Sequence, residues 1–169
     1  MKTLYLIGGP MGIGKTTVSH ELLRTLPRCA FLDGDWCWSM QPFTVTDETK
    51  AMVLDIITHV LASFLRCREF DNIVFCWVMH QQQIIDDILV RLPLEGVKVL
   101  CVSLTASPEA LTERIRRDIA VGIRDASVLD RALSYLPLYG KVRSVKVDTT
   151  ALSVAETSTQ IRNIGEMLE

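Results

Sequence analysis

Gly9, Gly14, Lys15 and Thr16 stand at the spacing G-x-x-x-x-G-K-[S/T], and those residue types suit one task, holding a chain of phosphates. Glycines let the backbone curl its N–H groups around an anion, and the start of a helix aims its dipole at the same point. In the stretch Gly9-Pro10-Met11-Gly12-Ile13-Gly14-Lys15-Thr16-Thr17, the loop residues Gly9, Gly12, Ile13, Gly14 and Thr17 therefore read as a cradle for nucleotide phosphate, the P-loop pattern. Lys15 reaches the β- and γ-phosphates as a point charge, and the Thr16 hydroxyl is placed to ligate Mg2+.

A second chemical cluster is Asp33-Gly34-Asp35. Beside a bound metal–nucleotide, one carboxylate can hold the metal while the other accepts the proton of an attacking hydroxyl. Asp33 is the favoured metal-side group and Asp35 the favoured base and acceptor contact; an Asp-Gly pair can also do no more than reverse the chain. Trp36, Trp38, Met40 and Phe43 follow, and they either line an acceptor pocket or plug the end of the core. The run Ile73 to Val78, which contains Trp77, carries no acidic residue, so the metal task shifts towards Asp33 or Asp35. His80 and the glutamines after it stand where that run ends, either hydrogen-bonding an acceptor or opening a helix. Arg114, Arg116, Arg117, Arg124 and Arg131 form a basic segment that either neutralises a transferring phosphoryl group or pairs with Glu113 and Asp118.

These groups need a scaffold, and the hydrophobic pattern describes one. Leu4–Ile7, Cys29–Leu32, Asn72–Val78, Val97–Leu104 and Ser144–Val147 are short apolar runs of the kind buried on both faces in a parallel sheet. Between them the spacing predicts helices: from Lys15 until Pro27, from the N-cap Thr46 to about Glu69, around Ile84–Leu92, and from Ser107-Pro108 onward. A further helix runs from Ser127 to Tyr139, and the capping box Ser153–Glu156 opens the last one. Met52, Val53, Ile56, Ile57, Val60, Leu61, Phe64 and Leu65 make one apolar stripe, with His59 off it. The alternation implies one α/β domain over residues 1–169 with five parallel strands.

Formal net charge is −2, which points away from a nucleic-acid binder and towards a small substrate. A mean hydropathy of +0.25 is high, yet no apolar run reaches the roughly 20 residues of a membrane span, which fits a sheet covered on both faces. Met1-Lys2 leads directly into the first strand, so no signal peptide and a cytoplasmic location are expected. The five cysteines are scattered and odd in number, as expected of free thiols, and only Cys37 lies beside the acidic turn.

Taken together, GGPMGIGKTT, the DGD turn after the second strand, ERIRRD and KVDTT resemble the small bacterial P-loop kinases. The resemblance covers shikimate, gluconate and adenylylsulfate kinases, and above all the chloramphenicol phosphotransferase-like and tunicamycin-resistance-like proteins. It implies a three-layer α/β/α P-loop NTPase fold with sheet order 2-3-1-4-5 and a small helical lid, here about residues 114–127. It also implies ATP and Mg2+ as cofactors, Arg114 and Arg117 as lid residues, with Arg117 catalytic, and Asp148 and Thr149 near the base.

Nucleoside monophosphate kinases hold the acceptor phosphate with an arginine soon after the second strand, whereas here Lys50 is the only lysine or arginine between Phe31 and Leu65. With the carboxylates of Asp33 and Asp35 at the turn, the expected acceptor is a small, non-anionic molecule bearing a hydroxyl, contacted by Asp35, Trp36, Trp38, Phe43, Trp77 and His80. The expected activity is γ-phosphoryl transfer to that hydroxyl. The rivals are a nucleoside or nucleotide kinase, and a nucleotide-dependent switch or drug-sequestering resistance protein without phosphoryl transfer. Neither nucleic acid nor membrane is expected as a partner, and the chain should be a monomer or dimer.

Overall fold

The computed structural model describes residues 1–167. Five strands, β1 (Lys2–Gly8), β2 (Cys29–Asp33), β3 (Asn72–Cys76), β4 (Val97–Thr105) and β5 (Val145–Asp148), form one all-parallel sheet in the order β2-β3-β1-β4-β5. The central strand shows why both layers are needed. Leu4 and Leu6 point into a core shared with Val53, Ile57 and Leu61 of α2 (Asp47–Arg66) and Ile85 and Ile88 of α3 (Gln82–Leu89). Tyr5 and Ile7 point the other way, towards α1 (Lys15–Thr25), α4 (Pro108–Ala120), α5 (Val128–Tyr135) and α6 (Val154–Met167). Alternate residues of one buried strand thus feed opposite cores. Sheet order and three-layer packing agree with the sequence-based expectation.

Several boundaries differ for local reasons. β3 ends at Cys76 because the next backbone groups leave the β2 ladder: Trp77 N–H donates to Ile7 O at 3.2 Å, and Val78 O accepts from Gly9 N–H at 3.3 Å. α2 stops at Arg66, where Cys67 turns extended. The helix from Ser127 tightens after Tyr135 into a 3-10 helix over Leu136–Lys141, whose Pro137 lacks the N–H an α-helix would use. The α2 stripe is narrower than its spacing implies: Val53, Ile57, Leu61 and Leu65 are buried, while Met52 and Ile56 are 44% and 40% exposed. His59 is exposed, as expected. Among the described residues no helix is long and apolar enough to cross a membrane.

Candidate active site

The loop between β1 and α1 is built for an anion. Gly14 caps α1 in a left-handed conformation (φ 103°) that only glycine adopts freely, and no side chain occupies the helix end. No acid sits in the first turn either, so the N–H groups there are left to a ligand. Gly12 (φ 79°) is required for a second reason: a Cβ there would lie 2.4 Å from Ile115 Cγ1, so its bare backbone lets α4 rest on the loop. Lys15 is buried, and its Nζ donates to Pro10 O at 3.0 Å. Burial strips water from its ammonium and lowers its pKa to about 8.

At the end of β2 a single carboxylate joins loop and turn. Asp33 Oδ2 accepts from Thr16 Oγ1 at 2.7 Å, and its Oδ1 accepts from the Asp35 N–H at 2.9 Å. Asp33 pairs in register with Cys76, so the carboxylate that β3 lacks is supplied by the adjacent strand. Burial, the Asp33 charge and the Asp35 charge push the Cys37 thiol up, and burial with the Asp33 charge takes Cys76 to about 12, so both thiols stay protonated. Burial and then the Asp33 charge raise the Asp35 carboxyl, against the pull of Lys15, Arg124 and the Trp77 side chain.

The aromatic residues divide into two groups. Trp38, Met40 and Trp77 pack against the core under α2 and α3, and Trp38 meets Phe43 at 5.9 Å between ring centroids. Trp77 lies across Gly34. Trp36 turns the other way, edge-on to Phe31, which packs on the α1 side and meets His20 of that helix. Trp36 thus covers the edge of the sheet instead of joining the other rings, because a residue two places along a 3-10 turn faces a different direction. His80 stacks on Tyr135 of α5 at 4.2 Å, its Nδ1 is buried without a hydrogen-bond partner, and burial lowers its pKa. Met79 before it is buried and has φ 40°, a left-handed corner rare for such a side chain.

A cavity of about 360 Å³ opens beside the phosphate loop, lined by Gly12, Gly14, Thr17, Arg114, Arg124 and Thr149 among others. Arg114 braces it: Nη1 donates to Thr149 Oγ1 at 2.8 Å and to Ile13 O at 3.4 Å, and Nη2 donates to Thr149 O at 2.5 Å. Asp148 is not part of this lining. Its carboxylate accepts from Thr150 N–H at 2.9 Å and Thr150 Oγ1 at 2.6 Å, bonds that hold it below the usual carboxylate range. Asp148 organises the turn, and Thr149 faces the cavity.

The two outer arginines part company as well. Arg117 is 71% exposed and pairs with Glu113 at 2.6 Å on the outer side of α4. Arg124, which the sequence reading places in the basic segment without singling it out as it does Arg114 and Arg117, lines the cavity, pairs with Asp118 at 2.8 Å and is half-buried. Its charge acts on both Lys15 and Asp35. The signal for it is Gly122 (φ 76°), which folds the chain back so that Ile123 and Arg124 N–H both reach Asp118 O.

A family model described as an AAA domain matches residues 6–128. No curated protein matches the sequence. Among solved structures, the Deinococcus radiodurans tunicamycin resistance protein is 18% identical, with a TM-score of 0.72 and coverage of 98% of this chain and 96% of that one. A gluconokinase from Sinorhizobium meliloti 1021 is 23% identical, TM-score 0.68, covering 98% and 95%. The Mycobacterium tuberculosis APS kinase in complex with AMPPNP and APS is 16% identical, TM-score 0.65, covering 98% and 97%. These likenesses establish the fold as that of P-loop kinases.

Proposed function

The chain belongs to the AAA domain family, and from that premise we propose that it is a small-molecule kinase moving the ATP γ-phosphoryl group to a hydroxyl of a non-anionic acceptor. The observation that carries this reading is Asp33, whose two oxygens tie the loop residue Thr16 to the acceptor-side residue Asp35. A phosphate cradle alone would serve a switch or a sequestering protein equally well; a carboxylate bridging cradle and acid turn belongs to a site where two substrates meet.

The residues fit the roles. The loop N–H groups and the start of α1 receive phosphate oxygens, and Lys15 exchanges the Pro10 carbonyl for one of them. Thr16 Oγ1 and Asp33 Oδ2, 2.7 Å apart, would hold Mg2+ between them. The metal would supply charge neutralisation on the phosphates. Arg124 adds positive charge from the open side, and Arg114 keeps Thr149 and Ile13 in place around the base. As the acceptor oxygen bonds to phosphorus and the bond to the ADP oxygen breaks, Asp35 takes the hydroxyl proton. Its raised proton affinity suits that task.

Non-anionic acceptors are favoured by charge. Lys50 is 60% exposed and pairs with Asp47 at 3.5 Å, so it does not offset Asp33 and Asp35. The deciding experiment incubates the protein with Mg·ATP and a panel of sugars, nucleosides, hydroxyl-bearing antibiotics and nucleoside monophosphates, reading ADP release and product mass. A phosphorylated neutral or cationic product is expected. A nucleoside monophosphate as the sole good acceptor, or tight binding without ADP release, would refute the reading.

A further inference from the structure

Arg114 and Arg124 both line the cavity beside the phosphate loop, and they use their guanidinium groups differently. Arg114 gives Nη1 and Nη2 to Thr149 and Ile13, so its terminal nitrogens already serve the protein. Arg124 gives Nε to Asp118 Oδ2 at 2.8 Å, and among the described residues its Nη1 and Nη2 donate to nothing. A guanidinium held by Nε presents those two nitrogens as a fork, the geometry that takes two oxygens of one phosphate. Asp118 holds the same segment by its main chain: its carbonyl accepts from Ile123 N–H at 2.8 Å and from Arg124 N–H at 3.4 Å, across the turn at Gly122. The helix that carries Asp118 is keyed to the phosphate loop in turn, because Ile115 Cγ1 lies 2.4 Å from where a Cβ on Gly12 would be. Asp118 stands one turn further along that face of α4. Loop, helix, aspartate and arginine form one connected path, and the arginine is fixed at the cavity before a phosphate arrives.

We propose that Asp118 is a positioning residue whose carboxylate holds Arg124 Nε and so aims Nη1 and Nη2 at the phosphates of a bound nucleotide. This rests on the loop binding nucleotide, and not on the identity of the acceptor. A free arginine side chain has to be ordered by its ligand, and the cost of that ordering is subtracted from affinity. What Asp118 contributes is an acceptor oxygen in the right place, while its negative charge opposes the incoming phosphate. An asparagine keeps the oxygen and drops the charge; an alanine loses both. The turn itself survives either change, since the bonds to the Asp118 carbonyl run from main chain to main chain. An ion pair whose side chains are 33% and 32% exposed adds little stability.

The test measures binding of Mg·AMPPNP, an ATP analogue that resists transfer, to the full-length protein by calorimetry. Asp118→Ala should weaken binding about three- to tenfold, the cost of ordering one long side chain, and Asp118→Asn should stay within about twofold of wild type. Arg124→Ala should weaken it about tenfold or more, and adding Asp118→Ala to that variant should change nothing further. Tm of the Asp118 variants should stay within about 2 °C of wild type. Unchanged or tighter binding in Asp118→Ala overturns the proposal, as does a loss accompanied by a fall in Tm of several degrees. An equal loss in Asp118→Asn would make the charge the working group, and full additivity with Arg124→Ala would make the aspartate act alone; either result overturns it. A wild-type protein that binds no Mg·AMPPNP overturns both this role and the nucleotide reading. Binding with the expected pattern but no phosphorylated acceptor would refute the kinase reading and leave the role of Asp118 standing.

Discussion

On the donor side the named polar groups end in one another: Lys15 on Pro10 at 3.0 Å, Thr16 on Asp33 at 2.7 Å, Arg114 on Thr149 at 2.8 Å. On the acceptor side Trp38 meets Phe43 ring to ring at 5.9 Å, Trp77 lies on a glycine, and Nδ1 of His80 is buried with no partner. Hydrogen bonds are directional and fix one shape, whereas ring contacts are tolerant of what they meet. A site divided in this way suits one invariant ligand, the nucleotide, beside a second whose outline is set by packing. It also explains why the donor half has a readable motif and the acceptor half has none.

The comparison can be broken at its strongest point first. Lys15→Ala should reduce turnover about 10²- to 10³-fold in a coupled ADP assay, since it removes a buried charge aimed at the transferring group; near-normal turnover would mean that the donor half does not act as described. Arg124→Ala should lower kcat about tenfold or more, and Arg117→Ala by less than about twofold, because only Arg124 lines the cavity while Arg117 is paired in solvent. The reverse ranking would place the charge on the other side of α4.

The smallest effect is a proton. With a pKa of about 8, Lys15 in ligand-free protein is mostly neutral at pH 8.5, and the charge of bound phosphate restores its proton. Nucleotide binding should therefore take up roughly three-quarters of a proton at that pH, measurable by calorimetry in buffers of different ionisation enthalpy. Lys15→Met should remove the uptake. The same sign governs the empty protein: a depressed lysine pKa is a penalty present in full below about pH 8 and relieved as pH rises towards the ordinary value of 10.5.

Sequence patterning was sufficient where the cause is local. The glycine-rich loop, the acid turn, the sheet and its helices follow from glycine spacing and buried apolar runs, and the structure bonds Asp33 of that turn to Thr16 of the loop. It was insufficient where one residue's direction depends on a turn. Trp36 and Trp38 are two places apart, yet the 3-10 turn sends them to opposite layers. Arg117 and Arg124 look equivalent in a basic segment, and the left-handed Gly122 makes the difference between solvent and cavity. Asp148 is set near the base by the family resemblance alone, and in the structure its own neighbour Thr150 claims the carboxylate. Met52 and Ile56 fit the helical period and still face outward, since α2 covers only part of the sheet.

The Arg114 brace also bears on the order in which the molecule assembles. Its guanidinium joins Ile13, 101 residues earlier, to Thr149, 35 residues later. The phosphate loop closes through near neighbours and can form early, whereas the cavity beside it waits for long loop closures. Nucleotide captured there fastens the first strand of the chain to the last, so a ligand recognised mainly by its phosphates protects from proteases the segment most distant from the residues that bind them.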